Sequence, residues 1–116
     1  MKPDDFVAQL RKNIIEDNLV IYRDLFESTD AEDANDQYWI QSLSMFGKLD
    51  ATDKSALFDV IRQVMTDTVS NVFAILDGVN NVEGQDGDFR LTVGDTEEQL
   101  NGGLQDCFLA IEEEED

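Results

Sequence analysis

Apolar side chains recur at helical spacing along the first part of the chain and predict a long helix over residues 4–27. Pro3 and the acids that follow it suit a helix start, where proline loses no hydrogen bond and carboxylates meet the positive end of the dipole. The sequence Glu16-Asp17-Asn18 interrupts the apolar stripe and marks a candidate bend. The stripe consists of Val7, Leu10, Ile14, Ile21 and Leu25, widened by Phe6, Tyr22 and Phe26.

Two further helices are predicted in the middle of the chain. A short one covers residues 38–46 and stops near Gly47, because glycine favours helix ends. A longer one covers residues 52–77, with Asp50 or Thr52 as its N-cap. Four acids in the nine residues between the first and second helices predict a solvated loop.

The long helix over residues 52–77 is apolar on two sides, which is typical of a helix that packs between other elements. We therefore expect it to lie at the centre of the fold with Val64 and Val72 buried, and we expect an aspartate at position 64 to unfold the domain. One face consists of Leu57, Ile61, Val64, Thr68, Val72 and Ile75. The other consists of Phe58, Met65, Val69 and Leu76.

The last third of the chain has a different pattern. Apolar and polar residues alternate over residues 89–93 and predict a strand, and residues 96–100 are a candidate return strand after a Gly-Asp turn. Residues 104–111 fit either a short helix or a strand, and the acidic tail 112–116 is expected to fray. The predicted fold is a single α+β domain over residues 1–116, mostly α, in which a three-helix core carries a small C-terminal β-hairpin and a final short helix.

Charge is distributed unevenly along the sequence. The chain carries 27 acids, eight bases and no histidine, for a net charge of −19. The last forty residues hold thirteen of the acids against Arg90 alone. A net charge this large costs stability through self-repulsion but speeds association with partners of opposite sign. A basic protein partner is therefore expected, whereas direct binding to nucleic acid phosphates is disfavoured.

The candidate partner-binding residues are the acids of the predicted loops. Tyr38 and Trp39 adjoin the first of these loops, although Trp39 is in register with Leu43 and Phe46 and is better explained as a core residue. The acids are Asp30, Glu32, Asp33 and Asp36 in the first loop, then Glu83, Asp86 and Asp88, and finally Asp95, Glu97 and Glu98.

Catalytic and cofactor chemistry finds little support. Without histidine, the histidine-based triads and His-ligated zinc and haem sites are excluded. Cys107 lies next to Asp106 in the most acidic region, where a thiolate is disfavoured. The spacing of acids and glycines over residues 77–88 does not fit an EF-hand loop, and weak surface calcium binding is left open. The sequence predicts neither an enzyme nor a cofactor or metal site.

The sequence also indicates a compartment. The N-terminal residues are acidic where a signal peptide needs basic ones, and no apolar run approaches the roughly 20 residues that span a bilayer. The single cysteine excludes a disulfide within the chain. A cytoplasmic protein without membrane contact is expected.

After an acidic, helical first two-thirds, the chain contains Leu76-Asp77-Gly78-Val79, Phe89-Arg90-Leu91 and the segment Leu100-Asn101-Gly102-Gly103-Leu104-Gln105-Asp106. In this layout it resembles the small bacterial immunity proteins. These are cognate inhibitors encoded beside polymorphic toxins, including contact-dependent growth inhibition effectors. The resemblance implies a cytoplasmic protein that binds one toxin domain, often a basic nuclease, and blocks its active site. It assigns no role to an individual residue.

Two other interpretations of the acidity are open. A mimic of duplex DNA that inhibits a DNA-binding protein needs carboxylates at phosphate spacing along an extended surface. The long helix over residues 52–77 is nearly neutral, which disfavours that arrangement. A salt-adapted structural or interaction domain needs acid on every exposed face, whereas this chain concentrates acid after residue 77.

Overall fold

A computed structural model describes the chain from residue 1 to residue 115, and every regular element in that range is a helix. A π-helical segment joins the first two α-helices, so that residues 3–28 form one continuous rod. The elements are α1 (Pro3–Leu10), the π-helical segment (Arg11–Glu16), α2 (Asp17–Ser28), a 3-10 turn (Ala31–Asp33), α3 (Gln37–Gly47), α4 (Ala51–Leu76) and α5 (Leu104–Glu115).

The rod confirms the predicted first helix, and its irregularity precedes the predicted bend. The irregular stretch is the π-helical segment Arg11–Glu16. Each π turn holds about one residue more than an α turn, which rotates the following residues backwards around the axis. This rotation brings Ile15 onto the same side as Val7, and both side chains are fully buried.

The apolar stripe predicted for the rod is wrong in its second half. Phe26 is buried, but Ile21 is 52% exposed and Leu25 is 39% exposed. The π-helical segment shifts the buried side of the rod, so positions in register with Val7 by α-helical counting no longer face the core.

The second and third predicted helices are confirmed as α3 and α4. Each begins at an aspartate whose carboxylate accepts a hydrogen bond from a free backbone N–H of the first turn, as N-caps do. Asp36 Oδ1 accepts from Tyr38 N at 2.9 Å. Asp50 Oδ1 accepts from Asp53 N at 2.8 Å, so Asp50 caps α4 and Thr52 lies inside it.

α4 carries two separate hydrophobic clusters, one on each half. The N-terminal cluster joins α4 to α2 and α3, and the C-terminal cluster joins it to α1, the π-helical segment and α5. The buried residues of the first are Phe26, Leu43, Phe46 and Phe58. Those of the second are Val7, Ile15, Phe73, Leu104 and Phe108.

One of the two predicted core faces of α4 is not buried. Val64 is 58% exposed and Val72 is 50% exposed, whereas Phe58 and Phe73 are almost fully buried. The other helices cover only one side of α4, because α3 reaches just its N-terminal half. The expected burial of Val64 is therefore wrong, and with it the reason to expect that an aspartate at position 64 unfolds the domain.

The predicted β-hairpin is absent from the described residues, so the α+β assignment is corrected to all-α. Two backbone hydrogen bonds link the segments predicted as strands, from Thr96 N to Val93 O at 3.3 Å across the turn and from Leu100 N to Leu91 O at 2.8 Å, and they do not form a ladder. The Asn101 side chain bonds the backbone groups that a β-ladder would otherwise pair. Its Oδ1 accepts from Leu91 N at 2.8 Å, and its Nδ2 donates to Phe89 O at 2.8 Å and to Leu76 O.

The helix alternative for residues 104–111 is confirmed. The residue that follows α4 explains where α5 starts. Asp77 directly follows α4, and its two carboxylate oxygens accept from Gly102 N at 2.6 Å and from Gln105 N at 2.8 Å. These N–H groups have no partner within α5. Asp77 therefore caps α5 across the intervening loop, and Gln105 Nε2 donates in turn to Ser70 Oγ at 3.1 Å.

The expected frayed tail is not observed at its first residue. Glu112 lies within α5, and its Oε1 is 2.6 Å from Arg11 Nε. Arg62 Nη2 lies 3.1 Å from Glu16 Oε1 and 3.8 Å from Glu112 Oε2, so two arginines and two glutamates form one network. Asp116, the end of the predicted tail, lies outside the described residues.

We predict that Asn101→Ala lowers the free energy of unfolding by about 2–3 kcal/mol. The substitution removes three hydrogen bonds of a buried amide and leaves Leu76 O, Phe89 O and Leu91 N without that partner. Urea denaturation followed by circular dichroism measures this. The matched control is Asn81→Ala at an exposed loop position, which should change stability by no more than about 0.5 kcal/mol. Equal effects of the two substitutions would contradict the role of Asn101.

Candidate acidic interface

The first acidic group lies on the loop between α2 and α3. All four of its side chains are exposed. Asp36 also has a local structural role as the N-cap of α3, so part of its carboxylate is already engaged. The members of this first acidic group are Asp30, Glu32, Asp33 and Asp36.

An apolar pocket of about 270 Å³ opens beside the first acidic group, with Leu25, Trp39 and Leu43 in its wall. Trp39 is half-buried, and its ring centroid lies 5.8 Å from that of Phe26 and 6.4 Å from that of Tyr22. Trp39 therefore packs against the N-terminal cluster, in agreement with its register in the sequence, and presents its remaining surface to the pocket.

The second acidic group lies on the long segment between α4 and α5. All six carboxylates are exposed, and the guanidinium of Arg90 donates to the backbone oxygen of Glu97. This unites two clusters that the sequence analysis names separately. The members of this second acidic group are Glu83, Asp86, Asp88, Asp95, Glu97 and Glu98.

Apolar side chains are exposed among the acids of the second group. Val79, Val82, Phe89 and Val93 are between 40% and 66% exposed. An interface with a protein commonly combines an apolar centre with a polar rim. The segment carries both kinds of side chain on its exposed surface.

The two acidic groups lie at opposite ends of α4. Asp30 lines the same pocket as Lys54, near the start of the helix. The second group is tied through Asn101 to Leu76, at its end. Residues 54 and 76 of a straight helix are about 33 Å apart. The structure therefore does not bring the ten predicted site residues together but divides them into four and six.

Four of the eight basic side chains pair with carboxylates or lie over aromatic rings. Arg11 and Arg62 pair with glutamates of the rod and α5. Arg23 and Lys54 lie over aromatic rings of the N-terminal cluster, with 4.7 and 4.8 Å to the ring centroids. None of the four belongs to the second acidic group, where Arg90 is the one base beside six carboxylates.

Cys107 is half-buried on α5, and its Sγ donates to Asp4 Oδ1 at 3.3 Å. Burial, the hydrogen bond to Asp4 and the charge of that carboxylate raise the pKa of the thiol from 9.0 to about 11. The thiolate that a nucleophile requires is therefore scarce at neutral pH. The sequence analysis attributes this effect to Asp106, but the structure assigns it to burial and Asp4.

The described part of the chain shows neither a metal cluster nor a membrane span. Among the side chains of residues 1–114, no three carboxylates or thiols converge as a metal site requires. No helix in the same range combines the length and the apolar character needed to cross a bilayer.

Comparison of the chain with protein-family models, with curated proteins and with solved structures finds no match.

No prediction from the sequence includes the residues that position the second acidic group, namely Asn101, Asp77 and Gln105. An aspartate directly after a helix, followed 24 residues later by an asparagine before two glycines, is a weak signal for a long-range cap. It becomes interpretable only when α4 and α5 are adjacent.

We predict that Cys107 is alkylated by iodoacetamide roughly 100-fold more slowly at neutral pH than a thiol of pKa 9.0, with a rate that rises up to about pH 11. Asp4→Asn removes the carboxylate that stabilises the protonated thiol and should speed the reaction. Asp5→Asn is the control because Asp5 makes no bond to the sulfur. Equal rates in the two variants would contradict the role of Asp4.

Proposed function

We propose that this protein is an immunity-type inhibitor, active in the cytoplasm, that binds a basic toxin domain such as a nuclease and covers its active site. The proposal rests on the second acidic group. Six exposed carboxylates and four exposed apolar side chains share one loop segment that side-chain hydrogen bonds hold in place.

Electrostatics supports a basic protein as the partner. Complementary fields steer two proteins together and suppress wrong partners. A nuclease must bind phosphates, so the surface around its active site is basic, and the carboxylates of an inhibitor suit the positions that phosphates occupy. With six exposed carboxylates and Arg90 as its one base, the second group presents a negative field.

Preorganisation of the loop is the second argument. Ordering a flexible segment on binding costs free energy, and a loop fixed in advance avoids that cost. Asn101 and Asp77 fix the two ends of the segment, and Gln85 bonds within it, with Nε2 donating to Gly87 O at 2.8 Å. The acids therefore stand at defined positions before the partner arrives.

Interface size favours one acidic group over a joint site. A standard interface covers about 800 Å² on each partner, a patch roughly 30 Å across. Because the two groups are about 33 Å apart along α4, one such patch does not contain both. We assign the partner to the second group, which has six carboxylates against four and four exposed apolar side chains on the same segment.

Catalysis has no part in this proposal. The thiol of Cys107 is held protonated by burial and by Asp4. Inhibition by occupancy needs only an exposed complementary surface. Replacing Cys107 by serine should therefore leave partner binding unchanged.

The test uses the product of the neighbouring gene, since toxins and their inhibitors are encoded side by side. Stopped-flow mixing should show association that slows at least about tenfold from low to high salt, with a much smaller change in dissociation. Substituting Glu83, Asp86 and Asp88 together by lysine should slow association and flatten its salt dependence.

The matched control is the triple substitution of Asp30, Glu32 and Asp33 by lysine, which changes the net charge by the same amount at the other end of α4. It should slow association less than the first triple variant. Equal slowing by both variants would place the contact elsewhere, and no binding or no inhibition of the toxin would overturn the proposal. Competition with duplex DNA for a non-nuclease partner would indicate a DNA mimic instead.

A further inference from the structure

The protein exposes more surface than a compact chain of its size. Its accessible surface is 8088 Å² and its radius of gyration is 18.0 Å. A compact monomer of 13.1 kDa exposes about 6,400 Å² and has a radius of gyration of about 13 Å. The excess is about 1,700 Å². A stable interface takes only about 800 Å² from each partner, so the excess is large enough to serve one.

Part of this surface is an apolar stripe along α4. Val60, Val64 and Val72 are each 50–59% exposed, and Thr68 lies between the last two on the same side of the helix. Leu57 and Ile75 are half-buried and close the stripe at its two ends. We call these six residues the α4 stripe. Their spacing of three and four residues is the one that paired helices use.

Thr68 does not interrupt the apolar character of the stripe. Its Oγ1 donates to Val64 O at 2.7 Å within the helix. A hydroxyl that is already bonded to its own helix loses little when a surface covers it, because its donor is satisfied.

The spacing of the α4 stripe is the same in both directions about residue 66. Leu57 and Ile75 lie nine residues from that point, Val60 and Val72 lie six, and Val64 and Thr68 lie two. Two antiparallel copies of α4 related by a two-fold axis at this level therefore bring apolar residues to the same height throughout. Self-complementarity of this kind is the requirement for a symmetric dimer.

Charge distinguishes a second copy from the basic partner of the proposed function. Residues 54–76 carry two acids and two bases, and no member of the α4 stripe is charged. The stripe therefore offers nothing to the cations of a basic protein. It is also the part of a strongly acidic chain where two copies repel each other least.

We propose that the protein forms a homodimer in which the α4 stripes of two copies pack antiparallel. This dimer does not depend on the proposed function. The antiparallel arrangement sets the first acidic group of one copy near the second acidic group of the other. Salt screens that repulsion, because the Debye length is about 8 Å at physiological ionic strength and falls to about 3 Å at 1 M. The dimer should therefore tighten as salt is added, opposite to the binding of a basic partner.

Sedimentation equilibrium at low and high salt provides the test. The wild-type mass should approach twice 13.1 kDa, with tighter association at high salt. Val64→Asp should weaken dimerisation at least about 100-fold, because the symmetry of the interface buries two carboxylates. Val20→Asp is the matched control, since Val20 is a helical valine of similar exposure (60%) outside the stripe, and it should dimerise as the wild type does.

A cross-linking experiment tests the direction in which the two helices pair. It does not use Val64→Asp, so it remains informative if that variant fails to fold. Two single-cysteine chains are prepared in a Cys107→Ser background, one with Val60→Cys and one with Val72→Cys. A short bifunctional maleimide should cross-link a mixture of the two faster than it cross-links either chain alone. Faster cross-linking between two copies of the same variant than between the two different variants would overturn the antiparallel arrangement.

The remaining outcomes are also decisive. A wild-type chain that stays monomeric at up to about 200 µM in both salts would overturn the dimer and leave the stripe to another protein. Equal weakening by Val64→Asp and Val20→Asp, with helicity retained in circular dichroism, would place the dimer contact elsewhere and overturn it as well.

Discussion

Two long elements, α4 and the rod of residues 3–28, support both hydrophobic clusters of this protein, and the rest of the fold follows from that constraint. The N-terminal half of α4 buries Phe58 against α2 and α3, and its C-terminal half buries Phe73 against α1 and α5. The rod gives Ile15 to one cluster and Phe26 to the other, whereas α3 packs only on the N-terminal half of α4. One side of α4 is consequently left without a neighbour, and the molecule is 52 Å long rather than round.

The position of the long loop between α4 and α5 depends on hydrogen bonds from a few side chains. Residues 77–103 contain no regular element in the described structure, and connections of that length are uncommon in small domains. Asn101 and Asp77 nevertheless tie the loop to the end of α4 and to the start of α5. Two buried or half-buried polar residues thus replace the backbone ladder of a sheet. They leave the acidic side chains free to face water.

The charged residues fall into two sets, one in an ion-pair network between helices and one exposed on the loops. Arg11 and Arg62 meet Glu16 and Glu112 where the rod, α4 and α5 converge, and the side chains of Arg11 and Glu112 are only 11% and 16% exposed. Breaking a covered pair by removing one partner is far more costly than losing an exposed one. The carboxylates of the second acidic group are exposed instead, and the proposed function assigns them to a partner. Stability and recognition therefore draw on different carboxylates of the same chain.

The sequence by itself determined the first three helices, the two candidates Asp50 and Thr52 for the N-cap of α4 and the uneven distribution of charge, because all three depend on residues close together in the chain. It did not determine which face of α4 is buried, since Val64 and Phe58 are equally apolar and only the positions of α2 and α3 distinguish them. Alternation over residues 89–93 predicted a strand, but no second segment formed a ladder with it, and Asn101 bonded the backbone instead. The distance between the two acidic groups, the cap that Asp77 supplies to α5 and the pairing of Glu112 with Arg11 were decided by tertiary structure alone. Each joins residues at least 24 positions apart, and spacing along a chain carries no record of which distant groups become neighbours.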